Sequence, residues 1–178
     1  VGDVNSRPVA EHTLTLMLST ARRVVAFDTA SRNGNWNERN SFSAVELDGK
    51  LLVLLGFGRI GKAVAKLAQA FGMRVAAYDP YVQADAMKEH SVEFLADIES
   101  GLARADFLSV HIPSTNGGAL IGEAELASMK PNAILINTAR GGLIDELALD
   151  AALRGGVVTG AGLDVFVVEP PPSDHPLL

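Results

Sequence analysis

The sequence predicts an α/β fold in which helices wind both sides of an open parallel sheet, and three observations support this. Apolar runs of strand length recur along the chain, the continuous LLVLL at 51–55 and AILIN at 133–137 among them. Unbroken apolar runs are what strands covered on both faces require. Segments with apolar residues at helical spacing separate those runs. A glycine-rich turn, GFGRIG, leads from the first run into the helix behind it. Strands alternating with helices imply right-handed crossovers, hence a doubly wound sheet of the Rossmann type.

Each element can be justified in order. Over residues 8–32, Leu14, Met17, Leu18, Ala21 and Val25 recur at helical spacing. Pro8 suits a first helical turn and Asn33-Gly34 stops the helix, so one long N-terminal helix is expected. A polar connector follows over 35–45. After the strand at 51–55, Ile60, Val64, Leu67, Ala68 and Phe71 mark a helix, and RVAAY at 74–78 a second strand. A short strand is expected near 92–95 and a helix near 97–104. DFLSVHI at 106–112 is the next strand. A helix over 123–129 stops at Lys130-Pro131 before AILIN. The last pair is a helix over 145–153, closed by Gly155-Gly156, and GAGLDVF at 160–166.

The bulk composition narrows the function. The 178 residues suffice for one substantial domain with a real core. A net charge of −6 with scattered basic residues argues against a nucleic-acid or anionic-membrane surface. Without cysteine there is no disulfide framework, thiolate zinc site or thiol nucleophile, and a cytoplasmic setting fits. No stretch approaches the ~18 apolar residues of a spanning helix, and no signal peptide is visible. The first residue is Val1 and the last two are leucines, so both ends are expected to be cuts through a longer protein.

Gly56, Gly58 and Gly61 stand in G-x-G-x-x-G spacing between a strand and a helix. The spacing assigns Gly56 to the tight turn, Gly58 to close approach of a pyrophosphate and Gly61 to packing of helix on strand. Phosphates would then meet free N–H groups at the helix N-terminus, with Arg59 adding positive charge. The triplet alone is shared with any tight strand-to-helix turn. Asp79, eighteen residues past Gly61, ends the second strand where an adenosine ribose would lie. A carboxylate there accepts ribose hydroxyls and repels a 2′-phosphate. Tyr81, Val82 and Gln83 follow it with no arginine to receive that phosphate, so NAD is expected over NADP.

VAEHTLTLMLSTARR, ELDGKLLVLLGFGRIGKAVAKLAQAFGMRVAAYDP, MKPNAILINTARGGLIDELAL and GAGLDVFVVEPP together resemble the D-2-hydroxyacid dehydrogenases, phosphoglycerate-dehydrogenase-like members most closely. The resemblance covers nearly the whole chain, with its motifs in family order. It implies that residues 1–178 are the NAD-binding domain, with a discontinuous substrate domain outside the chain at both ends. It also implies hydride exchange between NAD(H) and C2 of a D-2-hydroxy acid, phosphoglycerate first and glyoxylate or hydroxypyruvate second. Carried over by motif, Arg140 is the catalytic arginine and also one of the cofactor contacts, and Glu169 is the catalytic glutamate. The family's histidine belongs to a P-H segment that is absent here, and His175 stands in a loop ahead of it. Arg59 and Ile60 would meet the pyrophosphate, Asp79 the ribose, and Ile112 and Pro113 the adenine and ribose side. Thr138 and Ala139 would offer backbone groups near the nicotinamide, and Asp164 would bond its carboxamide.

The remaining residues carry smaller expectations. Gly141-Gly142 leave room for a substrate beside Arg140, whose guanidinium can hold a carboxylate bidentately. His12 is expected to be structural, near a domain or subunit contact; His111 shapes the cofactor rim or packs; His90 is exposed. Asn132 stands where many relatives have glycine and tolerates a left-handed turn. Val167 and Val168 replace the acidic residues of many relatives. No metal-ligand spacing is present, so no metal is expected. A homodimer through this domain, small-molecule substrates, and no nucleic-acid or membrane partner complete the picture. The rival reading is an NAD-sensing binding protein or corepressor of the same family. A domain like that of S-adenosyl-homocysteine hydrolase is opposed by the N-T-A-R-G-G and D-V-F-V-V-E-P segments.

Overall fold

The computed structural model describes residues 5–41, 43–113 and 118–178. Six strands form one parallel sheet: β1 (Leu51–Leu55), β2 (Arg74–Tyr78), β3 (Glu93–Phe94), β4 (Phe107–Val110), β5 (Ile134–Asn137) and β6 (Gly160–Leu163). Their order is β3-β2-β1-β4-β5-β6, so the chain winds outward from β1 on one side, then crosses over and winds outward on the other. This is the doubly wound order with its switch point between β1 and β4.

Alternation along β1 explains the two-sided core. Leu52 and Leu54 join one apolar cluster with α1 (Ser6–Ala21) and α3 (Arg59–Ala70). Leu51, Val53 and Leu55 join the other, with α5 (Ile98–Leu102), α6 (Glu123–Ser128) and α7 (Glu146–Arg154). Every residue of β1, β4 and β5 is buried, which accounts for sequences that are apolar except at Ser109 and Asn137. Two short helices start at acidic caps: the Asp97 carboxylate accepts from Ser100 N–H, and that of Asp145 from Leu147 and Ala148 N–H.

The N-terminal helix is shorter than the sequence suggests. α1 stops at Ala21, and α2 (Val24–Arg32) begins after a break at Arg22-Arg23. Arg23 adopts the left-handed conformation, φ 52°, in the place that usually goes to glycine beyond a helix end. α1 buries Ala10, Leu14, Met17 and Ala21, whereas α2 buries none of its residues. The apolar stripe therefore runs out of core at Ala21, and helical spacing alone does not register that. The connector contains a 3-10 helix at Trp36–Ser41, and a short α4 (Ala84–Lys88) precedes β3; the sequence announced neither.

Two glycines let α1 lie directly on β6. A Cβ at Gly162 would stand 2.9 Å from Leu16 Cβ, and one at Gly160 2.6 Å from Thr20 Cγ2. Asn132 has φ 71°, the left-handed turn expected of it.

Candidate functional site

The strand register aligns the site. Leu55 pairs with Tyr78 and with Val110, Val110 with Asn137, and Asn137 with Leu163. Five parallel strands therefore end in one row. The next residue along each is Asp79, Gly56, His111, Thr138 or Asp164, in spatial order across the sheet. Four strand spacings of ~4.8 Å put about 19 Å between the two aspartates. The carboxyl edge of an open parallel sheet is where ligands bind.

The glycine turn sits at the switch point. Gly56 has φ 102°, and a Cβ there would lie 2.7 Å from the His111 carbonyl oxygen and 3.0 Å from Ile112 Cγ2. A Cβ at Gly61 would collide with the Gly56 carbonyl, so α3 packs closely on the turn. Gly58 is different, because a Cβ would meet nothing within 4 Å. The first backbone bond of α3 runs from Lys62 N–H to Gly58 O at 3.0 Å. The amides of Arg59, Ile60 and Gly61 thus have no intrahelical acceptor. Arg59 is exposed beside them, and Ile60 packs against the core below. An open approach over Gly58, free amides and a cation together fit a pyrophosphate.

Asp79 is tied to this turn. Its Oδ2 accepts from Phe57 N–H at 2.8 Å and its Oδ1 from Tyr81 N–H at 2.9 Å. Each oxygen keeps a further lone pair, so the carboxylate can still accept from hydroxyls. Anchoring the glycine turn is a role that sequence spacing did not disclose. At the other side of the switch point, Ile112 is partly buried and Pro113 exposed. His111 Nε2 lies 2.9 Å from the buried Ser109 hydroxyl, and burial pushes the imidazole pKa down to about 4, keeping it neutral.

Arg140 lies exposed past β5 and donates from Nη1 to Ala139 O at 2.6 Å. Its loop is closed by Asn137, whose amide donates to Arg140 O at 2.8 Å and whose oxygen accepts from Ala139 N–H at 3.0 Å. A polar residue at the end of ILIN was the signal for this clamp, and the sequence reading passed over it. Gly141 departs from expectation. A Cβ there would collide with Phe166 and Val167 backbone, so it seats the Arg140 loop on the loop carrying Glu169. Only Gly142 opens onto free space.

Glu169 is exposed and its Oε1 accepts from Phe166 N–H at 3.0 Å. The imidazole of His175 lies elsewhere, its Nε2 3.1 Å from Glu146 Oε2 and its ring edge-on to Phe166. Glu146 Oε1 also accepts from Val167 N–H at 2.7 Å, so one carboxylate holds two points of the Glu169 loop. Val167 and Val168 are exposed, and so is His90, whose ring meets Phe57 edge-on.

At the far end of the row, Thr138 Oγ1 lies 2.9 Å from Thr13 Oγ1, and Asp164 Oδ1 lies 3.2 Å from His12 Nε2. His12 thus touches a predicted site residue. Among the described residues, no group of three or more His, Asp or Glu could hold a metal ion, and no helix is long and apolar enough to cross a membrane.

A glycine cradle at the switch point, with an acidic residue closing the neighbouring strand, defines a dinucleotide-binding domain. Comparison with known proteins narrows the class. The chain belongs to the D-isomer specific 2-hydroxyacid dehydrogenase, NAD binding domain family, whose sequence model matches residues 14–178. It is 46% identical over 177 residues to a D-3-phosphoglycerate dehydrogenase of Methanocaldococcus jannaschii, covering 99% of this chain and 33% of that protein. A glyoxylate reductase of Thermococcus litoralis is 44% identical over 168 residues, covering 90% of this chain and 50% of that one. A D-lactate dehydrogenase from Lactobacillus jensenii, solved with NAD+, superposes with a TM-score of 0.86 at 32% identity, covering 100% of this chain and 55% of that chain. The chain therefore spans about a third of the length of its phosphoglycerate dehydrogenase relatives.

Proposed function

We propose that this domain serves an NAD-dependent dehydrogenase that interconverts a D-2-hydroxy acid and its 2-oxo acid, with D-3-phosphoglycerate as the substrate. The observation that carries the reading is the row of strand ends. It lines up an acidic residue for a ribose, a glycine cradle for a pyrophosphate, and Thr138 and Asp164 beside the Arg140 loop. The phosphoglycerate assignment is supported by relatives of that name at 46% and 47% identity.

When bound, the nicotinamide supplies hydride chemistry, and the protein supplies orientation and electrostatics. Gly56, Gly58 and Gly61 with the first amides of α3, Arg59 and Ile60 would hold the pyrophosphate. Asp79 would take the adenosine ribose, with Ile112 and Pro113 flanking it. Thr138 and Ala139 would offer backbone groups to the nicotinamide and Asp164 its carboxylate. Arg140 spends one donor on Ala139 O and keeps the others for a substrate carboxylate. Glu169 keeps one oxygen free of the Phe166 amide. It would orient and charge an imidazole supplied by a segment outside residues 1–178, so that a proton stays available for the substrate oxygen.

The test uses the full-length protein carrying this chain, with NADH absorbance as the readout. D-3-phosphoglycerate should be oxidised with NAD and poorly with NADP. Arg140→Ala should lose about a hundredfold or more in turnover. No reaction with phosphoglycerate, glyoxylate or hydroxypyruvate would favour the NAD-sensing reading instead.

A homodimer through this domain is part of the same proposal. α2 buries none of its residues, and Val24 and Val25 at its start are 50% and 74% exposed. An apolar surface of this kind suits a two-fold contact. Light scattering on the full-length protein should return at least twice the monomer mass, and a clean monomer would refute the contact.

A further inference from the structure

We propose that His12 is a positioning residue for the nicotinamide end of the site, acting through Asp164. The inference rests on the reading that NAD lies along the row of strand ends, and it adds a residue of α1 to that site.

The stripe Thr20, Leu16 and His12 climbs α1 at four-residue intervals and meets β6 in the opposite chain direction. Thr20 abuts Gly160, Leu16 abuts Gly162, and His12 reaches Asp164, the first residue past the strand. Because neither glycine carries a side chain, the helix seats on the strand without a spacer. Its height over the sheet edge is therefore fixed by close contact. The neighbouring residue repeats the pattern. Thr13 donates its hydroxyl to Val9 O at 2.8 Å, so at the 2.9 Å contact Thr138 must be the donor to Thr13. Consecutive residues of α1 thus hold consecutive members of the row.

The chemistry at Asp164 calls for such a hold. Its side chain is 52% exposed, and among the described residues that side chain has no hydrogen bond and no ion-pair contact besides the one to His12. A carboxylate in that situation turns freely about its side-chain bonds. The His12 imidazole, with Nε2 3.2 Å from Oδ1, favours one orientation of the carboxylate and leaves Oδ2 to accept from a carboxamide N–H. The exposed pair contributes little to fold stability on its own. Its value lies in preorganising an acceptor for one part of one ligand.

The experiment compares NADH with ADP-ribose, which shares every part of the cofactor except nicotinamide, as ligands of the full-length protein by titration calorimetry. His12→Ala should weaken NADH about three- to tenfold and leave ADP-ribose unchanged. His12→Gln, which keeps an N–H at the Nε2 position, should restore most of the loss. Equal weakening of both ligands would show a general structural role and overturn the proposal. So would an unchanged NADH affinity, or a failure of the glutamine to rescue. If the unsubstituted protein binds neither ligand, the NAD reading itself falls and takes the proposal with it. If it binds both and only the variants disappoint, the NAD reading stands.

Discussion

Gly56 and Gly58 lie two positions apart in one turn, yet physical chemistry asks opposite things of them. Gly56 needs a positive φ and has the His111 carbonyl where a Cβ would go. Gly58 has an ordinary φ of −74° and empty space around it. Gly56→Ala should therefore cost about 1–3 kcal/mol of stability from strain and overpacking. Gly58→Ala should stay within about 1 kcal/mol of the parent, as expected at a helix cap, but weaken NAD binding. Urea unfolding beside NADH titration separates the two, and a pair of variants with matching unfolding midpoints would refute the distinction. Residue spacing made the triplet legible because the turn is local. The anchoring duties of Asp79 and Glu146 were not legible, since each depends on a backbone amide whose position only the folded turn defines, whereas Asn137 was marked by its polarity at a strand end. His12 went unrecognised for a related reason: its partner lies 152 positions along the chain.

At the scale of elements, all six strands were legible, the fully buried β1 most plainly. β1 and β2 occupy the two stretches read as strands, 51–55 and 74–78, and the other strands fall inside theirs. Strands covered on both faces have no polar alternation to confuse them. Helices at the margin were harder. The stripe from Leu14 to Val25 continues past the point where the sheet beneath α1 ends, so a single helix and two separate helices share the same pattern. Arg23 carries no local mark of its left-handed conformation, since a glycine would normally announce such a break. Likewise α4 is too short to show a period, and the 3-10 helix over Trp36–Ser41 lies in a segment without an apolar stripe. Helical spacing reports which face could be buried, and only packing decides whether it is.

For the whole molecule, the sheet edge carries a pH liability. The pKa of His111 falls from its ordinary 6.5 to about 4 through burial. The unfolded chain therefore binds a proton between those values that the folded chain refuses. Stability from this group is complete above pH ~6.5 and declines as pH falls toward ~4, by about 3 kcal/mol at ~1.4 kcal/mol per pH unit. His111→Gln keeps a partner for Ser109 and removes the titration. Its unfolding midpoint should decline less steeply over that window than the parent's; parallel slopes would show that His111 is not the group responsible.

The shared row of strand ends makes the sheet act as a ruler. Replacing Asp79, Thr138 or Asp164 changes a mark on the ruler without disturbing any rung of the ladder, because each stands one residue beyond it. Deleting one residue from a strand is another matter. It would draw that mark back by about 3.3 Å and turn the strand's buried side chains to the opposite face. Such a domain can exchange the chemistry written along its edge over evolutionary time, while the lengths of the five strands in the row stay locked together.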